Sequence, residues 1–221
     1  MNDLFRPFLR TSVLIFFYDI LIYSPDWPKH LHNLQVVLQV LEDNHFFANP
    51  SKCRFGQTEI EYLGHIISRV GVPMDPTKIQ AVLDWPAPQI VRGVCGFLGL
   101  TCYDRKFIQH DGSIAQPLTT LTKKDGFCWM SAAQHSFQQL KNLITAATVL
   151  ALPGFSSDFA LGCDAFRRGV GAVLMQHRKP ISFSSKALSA QTLAKSTYEK
   201  EIMALVLAIQ HYRPYLLDRS F

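Results

Sequence analysis

The sequence predicts an α+β chain in which short antiparallel strands and amphipathic helices occupy separate stretches. Two β-rich runs flank a tight turn near the N-terminus, helical spacing of apolar residues dominates the middle, and three strand-like runs precede one helix near the C-terminus. The 221 residues are 48% apolar and 18% charged, which is enough length and apolar content to bury a core. This composition argues against disorder as the default state.

The first predicted element is a hairpin with an acid at its tip. Residues 13–17 and 20–23 are the two β-rich runs, and Tyr18 and Asp19 lie between them. The favoured two-residue turns require positive φ, which Asp tolerates and Tyr does not. Turn propensity alone therefore does not explain this pair.

An amphipathic helix is predicted after Pro28 and ends at about Asp43. Apolar residues recur there with helical spacing and predict a single buried stripe. The stripe consists of Leu31, Leu34, Leu38 and Leu41.

A second hairpin and a short helix are predicted next. Residues 59–68 and 72–74 predict strands around a turn at Gly71. Asp75 and Pro76 then open a helix to about Asp84. Asp can cap the free backbone amides, and Pro at the first helical position loses no needed donor.

The central region, residues 91–121, is predicted as short helical pieces, because glycines and a proline interrupt it. These are Gly93, Gly96, Gly99 and Pro117. Ser131 and Gln134 have the spacing of a capping box before a helix. On that helix Phe137, Leu140 and Ile144 share one face.

The last third predicts three strands and one helix. The strands cover residues 159–164, 171–176 and 180–184, and a capping box of Ser196 and Glu199 opens a helix to about Leu217. The predicted apolar stripe of this helix contains Tyr198, Ile202, Leu205 and Ile209. Three strands with one helix make an incomplete layer, so we expect a fragment or a truncated last domain.

Charge and cysteine content narrow the classes of function. The chain has 22 Lys and Arg against 17 Asp and Glu, and its pI of about 9.0 favours a polyanionic partner while also fitting many ordinary proteins. Five scattered cysteines without a C-x-x-C pair predict reduced, mostly buried thiols rather than disulfides or a zinc site. No membrane helix and no secretory signal are evident, which predicts a cytoplasmic or nuclear setting.

Six motifs occur together and in one order along the chain. They are FFYDILIYS at 16–24, SKCRFG at 51–56, EYLGHIIS at 61–68, DP at 75–76, FLGL at 97–100 and STYEKE at 196–201. Together they resemble the Pol polyprotein of gypsy-type LTR retrotransposons. The resemblance implies the C-terminal part of a reverse transcriptase palm at 1–75 and a thumb-like helical region at 76–126. A connection plus a truncated RNase H-like α/β domain follows at 127–221.

The resemblance implies a polymerase metal site that is incomplete here. The family carries F-x-D-D at the first hairpin, and this chain has Tyr18 in place of the first acid and keeps Asp19. Mg²⁺ prefers hard oxygen ligands, and a phenol titrating near pH 10 offers no anionic oxygen. A unit charge 4 Å from a cation is worth about 4 kcal/mol at an effective dielectric of about 20, or on the order of a thousandfold in rate. The family's third acid would lie upstream of Met1, so we expect no polymerase activity from this chain alone; Asp19 is otherwise a hairpin-tip acid without a metal.

The RNase H-like part is predicted to be incomplete as well. Asp164 matches the family's first-strand aspartate and Glu201 its helix glutamate, while the third acid would fall after Phe221. These residues bind Mg²⁺ in the family, with Mn²⁺ as an alternative, and two carboxylates predict weak binding at most. The alternative is that Asp164 is a strand-end acid and that Glu201 belongs to a solvated helix start.

Six residues are predicted to contact nucleic acid. Leu63 and Gly64 match the family's primer-grip region, and Gly64 suits close approach of a phosphate backbone. The others are cations that could contact phosphates without reading sequence. They are Arg105 and Lys106 on the thumb, and Arg167 and Arg168 in a stretch without acids after Asp164. The alternatives are a core strand at Gly64 and a solvated charged surface.

The prediction for function is a reverse transcriptase and RNase H fragment that is inactive as an isolated chain. Expected partners are an RNA–DNA hybrid or duplex nucleic acid and the rest of a Pol polyprotein, without a membrane. The alternatives are a nucleic-acid-binding remnant without catalysis and a translated decayed element with no selected role. Cys102 and Asp104 replace a glycine and an aromatic residue of the family pattern, which leaves local packing open.

Overall fold

The computed structural model describes residues 1–124, 127–166, 168–217 and 219–221. These residues group into two compact units, a first unit of residues 1–63 and a second unit of residues 64–221. The predicted division at residues 75 and 126 follows different boundaries from these units, and it stays a prediction.

The first unit begins with the predicted hairpin, but its turn lies one residue earlier. Strands β1 (Val13–Phe16) and β2 (Asp19–Ile22) are antiparallel, and Phe16 pairs with Asp19. The turn is therefore formed by residues 17 and 18, and Phe17 takes a positive φ of 52°. The same register continues outward to the Tyr23 N–H, which donates to the Ser12 carbonyl at 2.9 Å. Pairing along the whole hairpin thus outweighs local turn preference.

Helix α1 (Trp27–Asp43) has the predicted length but a different buried stripe. The Asp26 side chain caps it by accepting from the Lys29 N–H at 2.8 Å. Leu31 and Leu38 are 50% and 41% exposed. The buried residues are Asn33, Val37 and Leu41, and the Asn33 amide donates to the Ser24 hydroxyl at 2.8 Å. A 3₁₀ turn (Pro50–Lys52) and strand β3 (Glu59–Tyr62) complete the first unit.

The second unit opens with a strand and a series of helices. The predicted hairpin around Gly71 is wrong in its details. The predicted strand over 59–68 is divided into β3 and β4 (His65–Ser68), with Leu63 and Gly64 between them, both at positive φ. In the predicted strand over 72–74, Val72 makes an isolated bridge to Leu150. The elements are β4 (His65–Ser68), α2 (Pro76–Leu83), α3 (Val91–Tyr103), a 3₁₀ turn (Arg105–Phe107), α4 (Asp111–Ile114), α5 (Gln116–Leu121) and α6 (Ser131–Thr145). Asp75 caps α2 as predicted, accepting from the Thr77 N–H at 2.8 Å.

Helix α3 is continuous, although short pieces were predicted there. A side chain on Gly96 would place its Cβ 2.9 Å from the Trp85 ring, so this glycine allows close packing instead of breaking the helix. On α6 the predicted face is confirmed, since Phe137, Leu140 and Ile144 are buried. The capping box at Ser131 is wrong, because Ser131 is the first residue of α6 and the cap is Met130 without a side-chain bond. The Gln134 side chain accepts from the Trp129 indole N–H.

The C-terminal half of the second unit is a three-stranded antiparallel sheet with one long helix. The elements are β5 (Ala160–Phe166), β6 (Gly169–Gln176), β7 (Lys179–Ala187), α7 (Ala190–Leu193) and α8 (Thr197–Leu216). The capping box of Ser196 and Glu199 is confirmed. One face of the sheet packs on α8, where Tyr212 joins a core with Phe159 and Leu174. On the opposite face the Gly112 N–H of α4 donates to the Ser185 hydroxyl at 2.7 Å.

The predicted stripe of α8 is exposed rather than buried. Its members are 37–72% exposed, namely Tyr198, Ile202, Leu205 and Ile209. The buried residues are Ala204, Ala208, Tyr212 and Leu216. The two alanines let the helix approach the sheet closely, and the Tyr212 hydroxyl donates to the Ser182 carbonyl at 2.8 Å.

Two further expectations concern thiols and membranes. The prediction of mostly buried thiols is wrong, because Cys95, Cys102, Cys128 and Cys163 are exposed and Cys53 is half-buried. In the described part of the chain, no helix combines the length and apolar character that crossing a bilayer requires.

Candidate nucleic-acid interface

Side chains from several elements of the second unit surround Gly64. Gly64 has a φ of 70°, in the left-handed region that glycine adopts without strain. Its carbonyl accepts a hydrogen bond from the Lys78 ammonium at 2.8 Å. The same ammonium lies 4.1 Å from the centre of the Tyr103 ring. The start of β4, helix α2 and the end of α3 therefore meet at this glycine.

A second cation approaches the same place through His65. The Lys106 ammonium lies 2.9 Å from His65 Nε2. The imidazole stacks on the Tyr103 ring, with centroids 5.1 Å apart and planes 17° from parallel. Burial, Lys106 and Lys78, in that order, lower the pKa of His65 to about 4. His65 is therefore neutral at physiological pH. We call His65, Lys78, Tyr103 and Lys106 the Gly64 cluster.

Asp104 is a buried carboxyl that feels the charges of the two lysines of this cluster. It follows α3 and is only 4% exposed. Burial raises its pKa, and the charges of Lys78 and Lys106 oppose that effect. Burial also lowers the pKa of Lys106, which the Asp104 carboxylate opposes. Asp104, which departs from the family pattern, is thus an internal counter-charge to the two lysines.

The structure unites some of the predicted contact residues and leaves others apart. Gly64 and Lys106 both belong to this region, whereas Arg105 is exposed beside Lys106 without joining the cluster. Leu63, the last residue of the first unit, is 39% exposed. Sequence reasoning missed His65, Lys78 and Tyr103. The sequence signal that could have identified Lys78 was weak: it is a lysine in the first turn of α2, the helix that Asp75 caps.

The basic stretch after Asp164 lies on the sheet of the second unit. Arg168 is exposed just before β6, and its carbonyl accepts from the Leu188 N–H at 2.9 Å. Lys179 and Lys186 are exposed on β7. Arg167, the other predicted contact residue, lies outside the described residues. Positive charge therefore occurs at more than one place in this unit.

Charge is distributed unevenly between the two units. The first unit has five basic and seven acidic residues, and the second has 17 basic and 10 acidic residues. The net charge is therefore −2 for the first unit and +7 for the second. The excess positive charge that would attract a polyanion therefore lies in the second unit.

The predicted polymerase carboxylate stands at the hairpin of the first unit. Asp19 is exposed at the start of β2, and its backbone carbonyl accepts from the Tyr62 hydroxyl at 3.3 Å. Tyr18 beside it is 81% exposed. The hairpin thus presents one phenol and one carboxylate.

The two predicted RNase H carboxylates belong to opposite faces of the sheet. Asp164 pairs with Gly171, and a Cβ on Gly171 would lie 3.3 Å from His110 Nδ1, so Asp164 shares the face that α4 covers. A cavity of about 210 Å³ lies there, lined by His110 and Asp164 among others. Glu201 is exposed on α8, which covers the other face.

This arrangement does not fit a paired divalent centre. Across the described ranges, no group of three or more His, Cys, Asp or Glu side chains could hold a metal ion. Asp19 in the first unit and Asp164 and Glu201 in the second therefore belong to no such group. Binding of Mg²⁺ or Mn²⁺ by them stays a prediction, limited to weak sites.

Comparison with protein families identifies two matching regions. Residues 1–67 match the model for reverse transcriptase (RNA-dependent DNA polymerase), and residues 129–221 match the model for the RNase H-like domain found in reverse transcriptase. The two models follow each other in the order that the sequence motifs predict.

Similar proteins extend the match over the whole chain. The retrovirus-related Pol polyprotein from transposon 297 of Drosophila melanogaster is 38% identical over 100% of this chain and 21% of its own length. The corresponding protein from transposon gypsy of the same species is 31% identical over 98% of this chain and 22% of its own length. The chain thus spans about a fifth of the length of these relatives.

A solved structure shares the fold. The foamy viral protease-reverse transcriptase in complex with an RNA/DNA hybrid has a TM-score of 0.86 at 18% identity, over 98% of this chain and 30% of that chain. The fold class and the resemblance predicted from sequence are confirmed. The chain belongs to the retrotransposon Pol polyprotein family and carries reverse transcriptase and RNase H-like regions.

Proposed function

We propose that this chain binds the backbone of an RNA–DNA hybrid or duplex nucleic acid and does not catalyse nucleotide chemistry by itself. The observation that carries the proposal is the Gly64 cluster, where Lys78 and Lys106 converge in the unit with a net charge of +7. Lysines bind phosphates without reading sequence. The foamy viral protein of the same fold was solved with an RNA/DNA hybrid, which supports this class of partner.

The proposal assigns subordinate roles to the other predicted residues. Arg105, Arg167 and Arg168 contribute cationic charge, and Leu63 with Gly64 allows close approach of the nucleic-acid backbone. Asp19 corresponds to one ligand of the family's polymerase metal centre. Asp164 and Glu201 correspond to two ligands of its RNase H metal centre. In this chain they bind Mg²⁺ or Mn²⁺ weakly, because too few carboxylates converge at either place. A two-metal reaction needs such convergence, so we expect no catalysis.

We also propose a division of roles along the chain, in which residues 1–75 act as palm, 76–126 as thumb and 127–221 as connection with an RNase H-like region. The rest of a Pol polyprotein is the natural macromolecular partner. The cytoplasm or the nucleus is the expected setting. A translated decayed element without a selected role is the competing hypothesis.

A salt titration tests binding. We expect a fluorescent RNA–DNA hybrid to bind with an affinity that falls steeply between about 50 mM and about 200 mM salt, because each neutralised phosphate releases counterions. Fluorescence anisotropy measures this affinity. Binding that is undetectable at low salt, or independent of salt, would overturn the proposal.

Activity assays test the second half of the proposal. We expect neither primer extension nor hybrid cleavage in Mg²⁺ or Mn²⁺ from the purified chain. Turnover that rises in proportion to protein concentration, and disappears in an Asp164→Asn variant, would show that the RNase H-like region is active.

A further inference from the structure

The contact between His65 and Lys106 fixes the protonation state of the imidazole. A lysine ammonium has three donors and no acceptor, so at 2.9 Å the His65 Nε2 must accept. An imidazole that accepts through Nε2 carries its proton on Nδ1 and is neutral. If Nε2 were protonated, two donors with like charge would face each other at this distance.

The groups around His65 explain why it remains neutral. Burial, the Lys106 charge and the Lys78 charge, in that order, disfavour the imidazolium, and the Asp104 carboxylate opposes the lowering of the Lys106 pKa. The titratable and charged residues of the surrounding elements are Asp75 and Lys78 at α2, Tyr103 and Asp104 at the end of α3, and Arg105 and Lys106 in the 3₁₀ turn. This unit therefore concentrates positive charge around an imidazole that has no proton on Nε2.

An anion would reverse this balance. His65, Lys78 and Lys106 are all partly exposed, so a phosphate in solvent can contact them. A negative charge within about 4–6 Å favours the charged form of an imidazole. Once protonated, Nε2 becomes a donor and can itself bind a phosphate oxygen, while Lys106 turns its donors to the same anion.

We propose that His65, Lys78 and Lys106 form a proton-coupled phosphate site, in which a bound phosphodiester draws one proton from solvent onto His65 Nε2. No covalent bond forms or breaks, and the proton returns to solvent on release. The inference rests on the nucleic-acid binding proposed above and adds a linkage between that binding and pH.

The size of the linkage follows from the two protonation equilibria. The pKa of His65 is about 4 in the free protein, against an ordinary value of 6.5. If a phosphodiester restores the ordinary value, affinity rises as pH falls through 6.5 and levels off below about 4. The gain between about pH 7.5 and about pH 5.5 is then about tenfold.

Two matched variants isolate His65 from the general effect of pH on charge. In His65→Gln the amide oxygen can still accept from Lys106 but cannot titrate in this range. His135→Gln removes an exposed histidine on α6 and is the control. With the fluorescent hybrid at constant salt, we expect the wild type and His135→Gln to gain about tenfold more affinity on acidification than His65→Gln.

Histidine NMR on the wild-type protein needs no variant. With saturating hybrid, we expect the pKa of the His65 ring to move from about 4 towards 6.5. A His65 that still titrates near 4 in the complex, or equal pH dependence in His65→Gln and wild type, would overturn this inference. Salt-dependent binding would then still support the proposed function. Absence of binding at every pH would overturn both.

Discussion

The second unit brings two of its lysines to Gly64 and keeps its two predicted RNase H carboxylates apart. Around Gly64, Lys78 contacts the Gly64 carbonyl at 2.8 Å and Lys106 contacts the neighbouring His65 at 2.9 Å. On the sheet, Asp164 and Glu201 belong to opposite faces. Phosphate binding and two-metal chemistry therefore differ in the geometry that they need. Phosphate binding needs cations at one surface, whereas two-metal chemistry needs several acids at one point.

The largest expected effect comes from removing both cations of the Gly64 cluster. We expect a Lys78→Gln and Lys106→Gln double variant to bind the hybrid about 10- to 100-fold more weakly and to lower the salt slope by about 2. Anisotropy titrations over a range of salt measure both quantities.

Lys29→Gln is the matched control for that variant. Lys29 is an exposed lysine of the first unit, whose net charge is −2. We expect this variant to keep the wild-type affinity. A loss of binding free energy in the control about half as large as that in the double variant would show that binding follows total charge and not the Gly64 cluster.

The next effect concerns an acid that the second unit largely buries. Asp111 at the start of α4 is 9% exposed, and burial raises its pKa to about 6, against the opposing charge of Arg105. The folded state therefore binds more protons than the unfolded state between about pH 3.8 and about pH 6, and stability falls as pH rises through this window. We expect Asp111→Asn to raise the free energy of unfolding at neutral pH by about 1–3 kcal/mol.

Urea unfolding at several pH values tests this expectation. The advantage of the Asn variant should shrink towards zero as pH falls below about 3.8, where the wild-type carboxyl becomes protonated in the unfolded state as well as in the folded state. A constant difference at every pH would mean that Asp111 has a partner that keeps it ionised.

A smaller effect is expected at the internal counter-charge. Asp104 competes with a phosphate for Lys78 and Lys106, so Asp104→Asn should raise the affinity for the hybrid by about three- to fivefold. Asp158→Asn, an exposed acid before β5, is the control and should leave the affinity unchanged. If Asp104→Asn weakens binding, the carboxylate positions the lysines and does not compete with the ligand.

The sequence predicted elements whose causes are local. The caps at Asp75 and Ser196 and the buried face of α6 were correct, because each depends on neighbours within a few turns. The predictions that failed depend on distant packing. Periodicity alone could not decide which stripe of α8 faces the sheet, since Ala204 and Ala208 fit there more closely than the larger apolar residues.

The candidate site was only partly predictable for the same reason. Gly64 was identified from the family pattern and Lys106 from its charge in the thumb-like region, but the contact between Lys106 and His65 joins residues 41 positions apart. No local spacing encodes such a contact. The turn at Phe17 and Tyr18 was missed by one residue, because the register of the whole hairpin and not its tip decides it.

The smallest expected effect is none at all. Tyr18→Asp restores the acidic pair at the hairpin, yet primer extension with Mg²⁺ or Mn²⁺ should stay undetectable. Among the described residues no group of three metal-binding side chains exists, and one added carboxylate at an exposed tip does not bring a third to it. Hybrid affinity should stay at the wild-type value, since the change lies in the first unit. Extension rescued by this single substitution would show that carboxylates converge there, and the contrast between gathered cations and scattered acids would fail.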